Sequence, residues 1–237
     1  MRMRPGAFTR LNSLASAAVC LLAFAAAALA ADKAVSLFNG KDLTGWKTAG
    51  KGESQWKFGK AALDPADPKK LAVTGAGEEL VSCEKGVNLA TEASYKDCLL
   101  EMEFMVSKGS NAGVKMANIY EIQILDSFGK EVVDKGDCGA VYQENAPKVN
   151  ACKKPGEWQT MVIDFRTPRF DESGKKTANA KFVKVTLNGQ VIQENVEIEH
   201  GTGTGGKVAK EQPSGPVFLQ GDHGPVAFRN MKITSLK

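Results

Sequence analysis

The segment Lys181-Phe182-Val183-Lys184-Val185-Thr186-Leu187, which stops at Asn188-Gly189 and resumes as Gln190-Val191-Ile192, constrains the fold of this chain more than any other. Side chains of like polarity recur at every second residue, the period of a half-buried strand. Asn-Gly tolerates positive φ at both positions, which a two-residue hairpin requires. The same alternation marks Leu100-Glu101-Met102-Glu103-Phe104, and further strands are predicted at 111–116, 120–125, 140–143, 159–165, 217–220 and 227–233. No stretch reads convincingly at a helical period. Many short strands joined by glycine- and proline-bearing turns predict an all-β chain, a single two-sheet antiparallel sandwich without repeat or linker. Residues 64–70, 171–179 and 200–213 are expected as long surface loops.

The first 30 residues differ from the rest. They hold Arg2, Arg4 and Arg10, no acid, and a small apolar run from Ala17 to Ala30 that is too short to span a bilayer. This is a signal-peptide pattern, with Ala28 and Ala30 at −3 and −1 placing cleavage between Ala30 and Ala31. Val19 before Cys20 argues against lipid attachment there. Removal leaves 207 residues (237 less 30), a net charge of +1 in place of +4, and four of five cysteines. A near-neutral chain has no electrostatic reason to bind nucleic acid, and no later apolar run is long enough to cross a membrane as a helix. The expectation is a leader at 1–30 and one exported, periplasmic or secreted domain at 31–237.

An even cysteine count in an exported chain reads as a disulfide framework. The short-loop pairing Cys83–Cys98 with Cys138–Cys152 is expected, each bridge stabilising by about 3 kcal/mol in the chain-entropy model. Metal ligation competes poorly, since there is no C-x-x-C pair and only His200 and His223.

Five collinear segments carry a family resemblance: Ser36-Leu37-Phe38-Asn39-Gly40-Lys41-Asp42-Leu43-Thr44-Gly45-Trp46, Asn111-Ala112-Gly113-Val114, Tyr120-Glu121-Ile122-Gln123-Ile124-Leu125-Asp126-Ser127, Gly156-Glu157-Trp158-Gln159-Thr160 with Leu187-Asn188-Gly189, and Val217-Phe218-Leu219-Gln220-Gly221-Asp222-His223-Gly224 with Phe228-Arg229-Asn230. Together they resemble the 3-keto-disaccharide hydrolase domain family from Ser36 to Ile233. Gly221 is inserted relative to the family's Leu-Gln-Asp-His-Gly, Lys115-Met116 stands where arginine is common, and Gln159 replaces asparagine. The resemblance implies a concanavalin A-like jelly roll and an exported enzyme cleaving glycosides already oxidised at the third ring carbon.

Such a ketone acidifies the hydrogen on the second carbon, so a base can remove it, the group on the first carbon leaves, and water adds back. This path needs a base, a donor at the leaving oxygen, and donors to the enolate. His223 is a candidate by its pKa and its place beyond a strand. Glu121 and Gln123 share one strand face, expected to be the concave one, and Asp126 follows at opposite parity. Glu121, Asp126 and His223 are therefore the acid/base candidates; Asn111, Gln123, Gln220 and Arg229 are the expected substrate contacts. The structural alternatives are a solvated polar row and a histidine satisfied by turn backbone. Trp46 and Trp158 are expected to pack rather than stack on sugar.

Other motifs fare worse. Glu121 and Asp126 would lie roughly 16 Å apart on a straight strand, too far for a carboxylate pair of a direct glycosidase. Glu101 and Glu103 fit the distance but read as a solvated face. Gly201–Lys207 satisfies Gly-x-x-x-x-Gly-Lys, yet Val208 follows where Ser or Thr is needed; it reads as a flexible glycine loop, a candidate flap. No cofactor is expected; calcium is conceivable, as in jelly-roll lectin relatives, but no Asp-rich loop argues for it. A non-catalytic, lectin-like carbohydrate-binding module is the alternative function, because the fold alone does not decide.

Overall fold

A computed structural model describes Met1, residues 33–203 and residues 210–237. The expected leader and its cleavage point lie outside the described residues, as does the end of the glycine loop. In chain order the strands are β1 (Val35–Ser36), β2 (Trp46–Ala49), β3 (Lys57–Gly59), β4 (Ala61–Leu63), β5 (Leu71–Val73), β6 (Glu79–Ser82), β7 (Asn88–Thr91), β8 (Cys98–Val106), β9 (Asn111–Met116), β10 (Tyr120–Leu125), β11 (Gln159–Arg166), β12 (Arg169–Phe170), β13 (Lys176–Ala178), β14 (Ala180–Leu187), β15 (Gln190–Ile198), β16 (Phe218–Leu219) and β17 (Val226–Ser235). No helix occurs among the described residues.

Two antiparallel sheets carry the fold. The back sheet runs β15-β14-β11-β8-β17-β6-β3, with β1 also on β17, and the front sheet runs β10-β9-β16-β7-β2. This is the expected jelly-roll sandwich. Asn188 and Gly189, at φ 51° and 82°, form the β14–β15 turn, and Leu187 faces Gln190 across it. The pairs β4–β5 and β12–β13 are small separate ladders, so part of the loop expected at 171–179 is strand. Segment 140–143 does not form a strand; it is held by bridges from Val141 to Ile122 and Asn145.

Between the sheets, Leu100, Met102 and Phe104 of β8 and Met161, Ile163 and Phe165 of β11 meet Val114 and Met116 of β9 and Tyr120, Ile122 and Ile124 of β10. All are buried. A buried Leu or Phe contributes roughly 1.5–3 kcal/mol, which favours the register that turns this set inward. That register necessarily turns Asn111, Gly113, Lys115, Glu121 and Gln123 to the outer face of the front sheet.

Trp46 and Trp56 pack in the core, their indole N–H groups donating to Leu37 O (2.7 Å) and Val87 O (2.8 Å). The cysteines depart from expectation. Cys98 begins β8 and pairs with Ser235, whereas Cys83 follows Ser82, which reaches the other end of β8 through Val226 and Val106. The length of β8, some 26 Å at strand rise, separates them, so Cys83–Cys98 cannot form without dismantling the back sheet. Cys138 and Cys152 do meet. All four described cysteines are free thiols. The Cys138 thiol donates to Cys152, which holds Cys138 well above the ordinary thiol range and Cys152 below it. Burial pushes Cys98 up to about 12.

Candidate functional site

The site is built on the β9–β10 hairpin. Its register sets Glu121 opposite Lys115, Gln123 opposite Gly113 and Leu125 opposite Asn111. On the other side of β9, Phe218 of β16 lies opposite Lys115, and the backbone N of Gln220 donates to Gly113 O (2.9 Å). Glu121, Gln123 and Gln220 therefore share one outer face around Gly113. A Cβ placed on Gly113 would lie 2.4 Å from Glu121 Oε1 and 2.8 Å from Gln220 Oε1, so only glycine leaves room for both oxygens.

This outer face is not solvated. Glu121, Gln123 and Gln220 are 2%, 3% and 8% exposed. Residues 139–142 add backbone bonds along β10: Gly139 N and Tyr142 N donate to Gln123 O and Glu121 O, and Gln123 N donates to Ala140 O. Thr202 Oγ accepts from Glu121 N (2.8 Å), so the start of the glycine loop docks on β10 beside the carboxyl. Whether the rest of that loop is a flap lies outside the described residues.

Burial pushes the Glu121 carboxyl above the ordinary range, against Lys115 at 3.2 Å and the more distant charge of His223. Gln123 Nε2 donates to Asn111 Oδ1 (3.3 Å) and Gly136 O (3.2 Å). Gln220 Oε1 is buried without a donor among the described residues. An unmet buried acceptor costs about 1–3 kcal/mol, which a ligand hydroxyl would recover.

Beyond Gln220, Gly221 N and Asp222 N donate to Asn88 Oδ1 of β7, and Asn88 Nδ2 donates to Asp222 Oδ2 (3.0 Å). Asp222 Oδ1 holds His223 Nδ1 at 2.5 Å. Partial burial would raise Asp222, but the bonds from Asn88 and His223 outweigh it and hold the carboxyl below its usual range. The half-exposed His223 is thus fixed by a carboxylate rather than by turn backbone, with Nε2 left for proton transfer.

Two expected site residues lie elsewhere. Asp126 accepts from Gly109 N (2.8 Å) and Phe128 N (3.4 Å), so its carboxylate holds turns at the end of β10. Arg229 is on the back sheet. Its guanidinium donates to Glu103 Oε2 at 2.7 and 2.9 Å, reaches Glu79 Oε1 at 3.3 Å, and lies 4.1 Å from the Trp158 ring centre. Parity on β17 is the reason: Phe228 is buried in the core, so Arg229 faces outward, away from the front sheet. Sequence reading missed Lys115, Asn88 and Asp222 as site residues. Lys115 was within reach, since it shares strand parity with Asn111 and Gly113; Asn88 gives no local signal, being 134 residues from Asp222. Among the described residues no group of three or more His, Cys, Asp or Glu side chains could hold a metal.

Residues 33–234 match the model of the 3-keto-alpha-glucoside-1,2-lyase-like domain. A solved candidate glycosyl hydrolase from Parabacteroides distasonis is 28% identical, with 86% of this chain and 84% of that chain covered and a TM-score of 0.67. Two more structures of candidate glycosyl hydrolases from the same organism share the fold: one is 24% identical over 86% of this chain and 100% of that chain (TM-score 0.55), the other 18% identical over 86% and 94% (TM-score 0.58). A search of curated proteins gave no match. The family match takes in both sheets from β1 to the penultimate residue of β17 and every side chain that converges around Gly113, and the chain belongs to the 3-keto-alpha-glucoside-1,2-lyase-like domain family.

Proposed function

We propose that this protein is an exported carbohydrate-active enzyme that cleaves 3-keto-glycosides by elimination followed by addition of water. The observation that carries the reading is the buried Glu121, paired with the partly exposed Lys115, beside the unmet Gln220 oxygen, all within the family match. Glu121, made more basic by burial yet kept near a cation, takes the proton from the second ring carbon. Lys115 faces the negative charge that spreads onto the third-carbon oxygen. His223, oriented by Asp222, gives a proton to the departing oxygen on the first carbon. Water then adds at that carbon while the second carbon regains its proton, so the net change is hydrolysis. Asn111, Gln123 and Gln220 supply amides for ring hydroxyls.

The test is incubation of a 3-keto-disaccharide with purified protein, following the transient enone and the released 3-keto-sugar. Wild type should form both, and His223→Ala should slow the release of the leaving group. An amide-lined wall also suits a non-catalytic carbohydrate-binding module. Saturable glycan binding with no product from oxidised substrates would replace the enzymatic reading with that one.

A further inference from the structure

Four turns far apart in sequence meet at one rim of the sandwich: β4–β5 brings Lys69, β6–β7 brings Lys85, β8–β9 brings Lys108, and the turn before β17 brings His223. They line a cavity of about 390 Å³ with Ser110. The turns are braced on one another: Lys108 N donates to Pro68 O (2.8 Å), Ser107 Oγ to Lys69 O (2.9 Å), Ser110 Oγ to Pro225 O (2.5 Å) and Gly86 N to Gly221 O (2.7 Å). None of the three lysine ammonium groups takes part in an ion pair among the described residues. Of the nearby carboxylates, Asp126 is bonded to Gly109 N and Asp222 to Asn88 and His223, while the exposed Glu84 precedes Lys85 on its turn.

Three unpaired cations around one cavity, in a chain whose expected mature charge is only +1, are not average surface. Like charges so placed repel one another, a cost that a bound anion reverses. The cavity also adjoins the candidate site: His223, held by Asp222, lines it, and Ser110, which lines it too, immediately precedes Asn111.

We propose that this cavity is a subsite for an anionic substituent, a carboxylate or sulfate, carried by the part of the glycoside that lies beyond His223. The substrate class is thereby narrowed from 3-keto-glycosides to acidic ones. This rests on the reading of the neighbouring face as the sugar-cleaving site, but the lysines can be tested apart from it.

The experiment compares disaccharides bearing a neutral sugar, a uronic acid or a sulfated sugar on the leaving side, with wild type and with Lys69→Gln/Lys85→Gln/Lys108→Gln. Binding of the unoxidised forms is measured by calorimetry and turnover on the 3-keto forms. Wild type should bind at least one acidic form about tenfold more tightly than the neutral one, with the margin shrinking as salt rises. The lysine variant should lose that margin, raise KM for the acidic 3-keto-substrate, and leave kcat and neutral turnover unchanged. The uronate and sulfate arms identify which anion is read, and inorganic sulfate should compete only in wild type. Equal binding of neutral and acidic forms by wild type, or a margin that survives in the variant, would overturn the subsite. Absence of turnover on every oxidised substrate with the binding margin intact would instead overturn the catalytic reading alone. The lysines are exposed, so an unchanged melting temperature separates lost binding from lost folding.

Discussion

The outer faces of the two sheets carry similar ingredients and put them to opposite use. On the front sheet Glu121 faces Lys115 across a strand pair; on the back sheet Glu103 faces Arg229 across another. Glu103 is half-buried and bonded by Asn230 and Arg229, which outweigh burial and hold its carboxyl below the ordinary range. Glu121 is covered, and burial outweighs its lysine and raises it. Arg229 is further committed to Glu79 and the Trp158 ring, whereas the front face keeps an unmet oxygen on Gln220. A buried carboxyl with a raised pKa beside an unmet acceptor marks the front face, and not the back, as the candidate functional site.

Substitutions should separate the two faces. Glu121→Gln, nearly isosteric, should lower kcat by about 10²–10⁴ with little change in melting temperature, as expected on loss of a general base. Gly113→Ala should be comparably inactive because its Cβ displaces Glu121 and Gln220 oxygens. Full activity in either variant would make the front face as structural as the back.

The segment bonded along the edge of β10 gives the next largest effect. Cys138 and Cys152 flank the segment that contributes Gly139–Tyr142 to β10, and oxidation of this pair should stabilise by about 3 kcal/mol. Thiol counting on oxidised, denatured protein should find Cys83 and Cys98 free and the other two bridged; any bridge to Cys83 would contradict the strand register.

Arg229→Ala should cost about 1–2 kcal/mol in denaturant unfolding, through the ion pairs and the Trp158 contact, and leave kcat of the folded fraction intact. A fall in kcat with stability unchanged would return Arg229 to the site.

The smallest effect is on pH dependence. Because Glu121 is raised, kcat/KM should fall on the acid side at a pH above the ordinary glutamate value of 4.5. The raised carboxyl costs stability above its folded pKa, and that cost is relieved as pH falls through it. Glu103, being lowered, contributes stability above its unfolded pKa and loses it as pH falls through the folded one. Mild acid should therefore stabilise wild type relative to Glu121→Gln, whereas stronger acid should destabilise both.

The longer strands were legible because alternation survives over six to ten residues: 111–116 and 120–125 coincide with β9 and β10, and the Asn188-Gly189 turn stands where its residues demand. The strands before Thr91 were not legible. They span two to four residues, too few for a period to show, and exist because longer partners supply their bonds. Of the site, Glu121 and Gln123 were correctly placed on one face. Asp126 and Arg229 lie away from the Gly113 cluster, since a motif says which residues recur and not which way a strand turns them.

By itself the sequence determined the all-β class, the hairpin, and which residues of each longer strand share a face, because strand parity is a local property of alternating side chains. Only the tertiary structure decided which carboxyl would be buried, which cysteines would meet, and that Asn88, Asp222 and His223 would form one bonded chain at the end of the front sheet. Burial and partnership depend on other segments of the chain, 81 residues away for Thr202 on Glu121 and 134 for Asp222 on Asn88. The same Glu-and-cation pairing leaves one carboxyl below its ordinary range and the other above it according to how deeply each is buried.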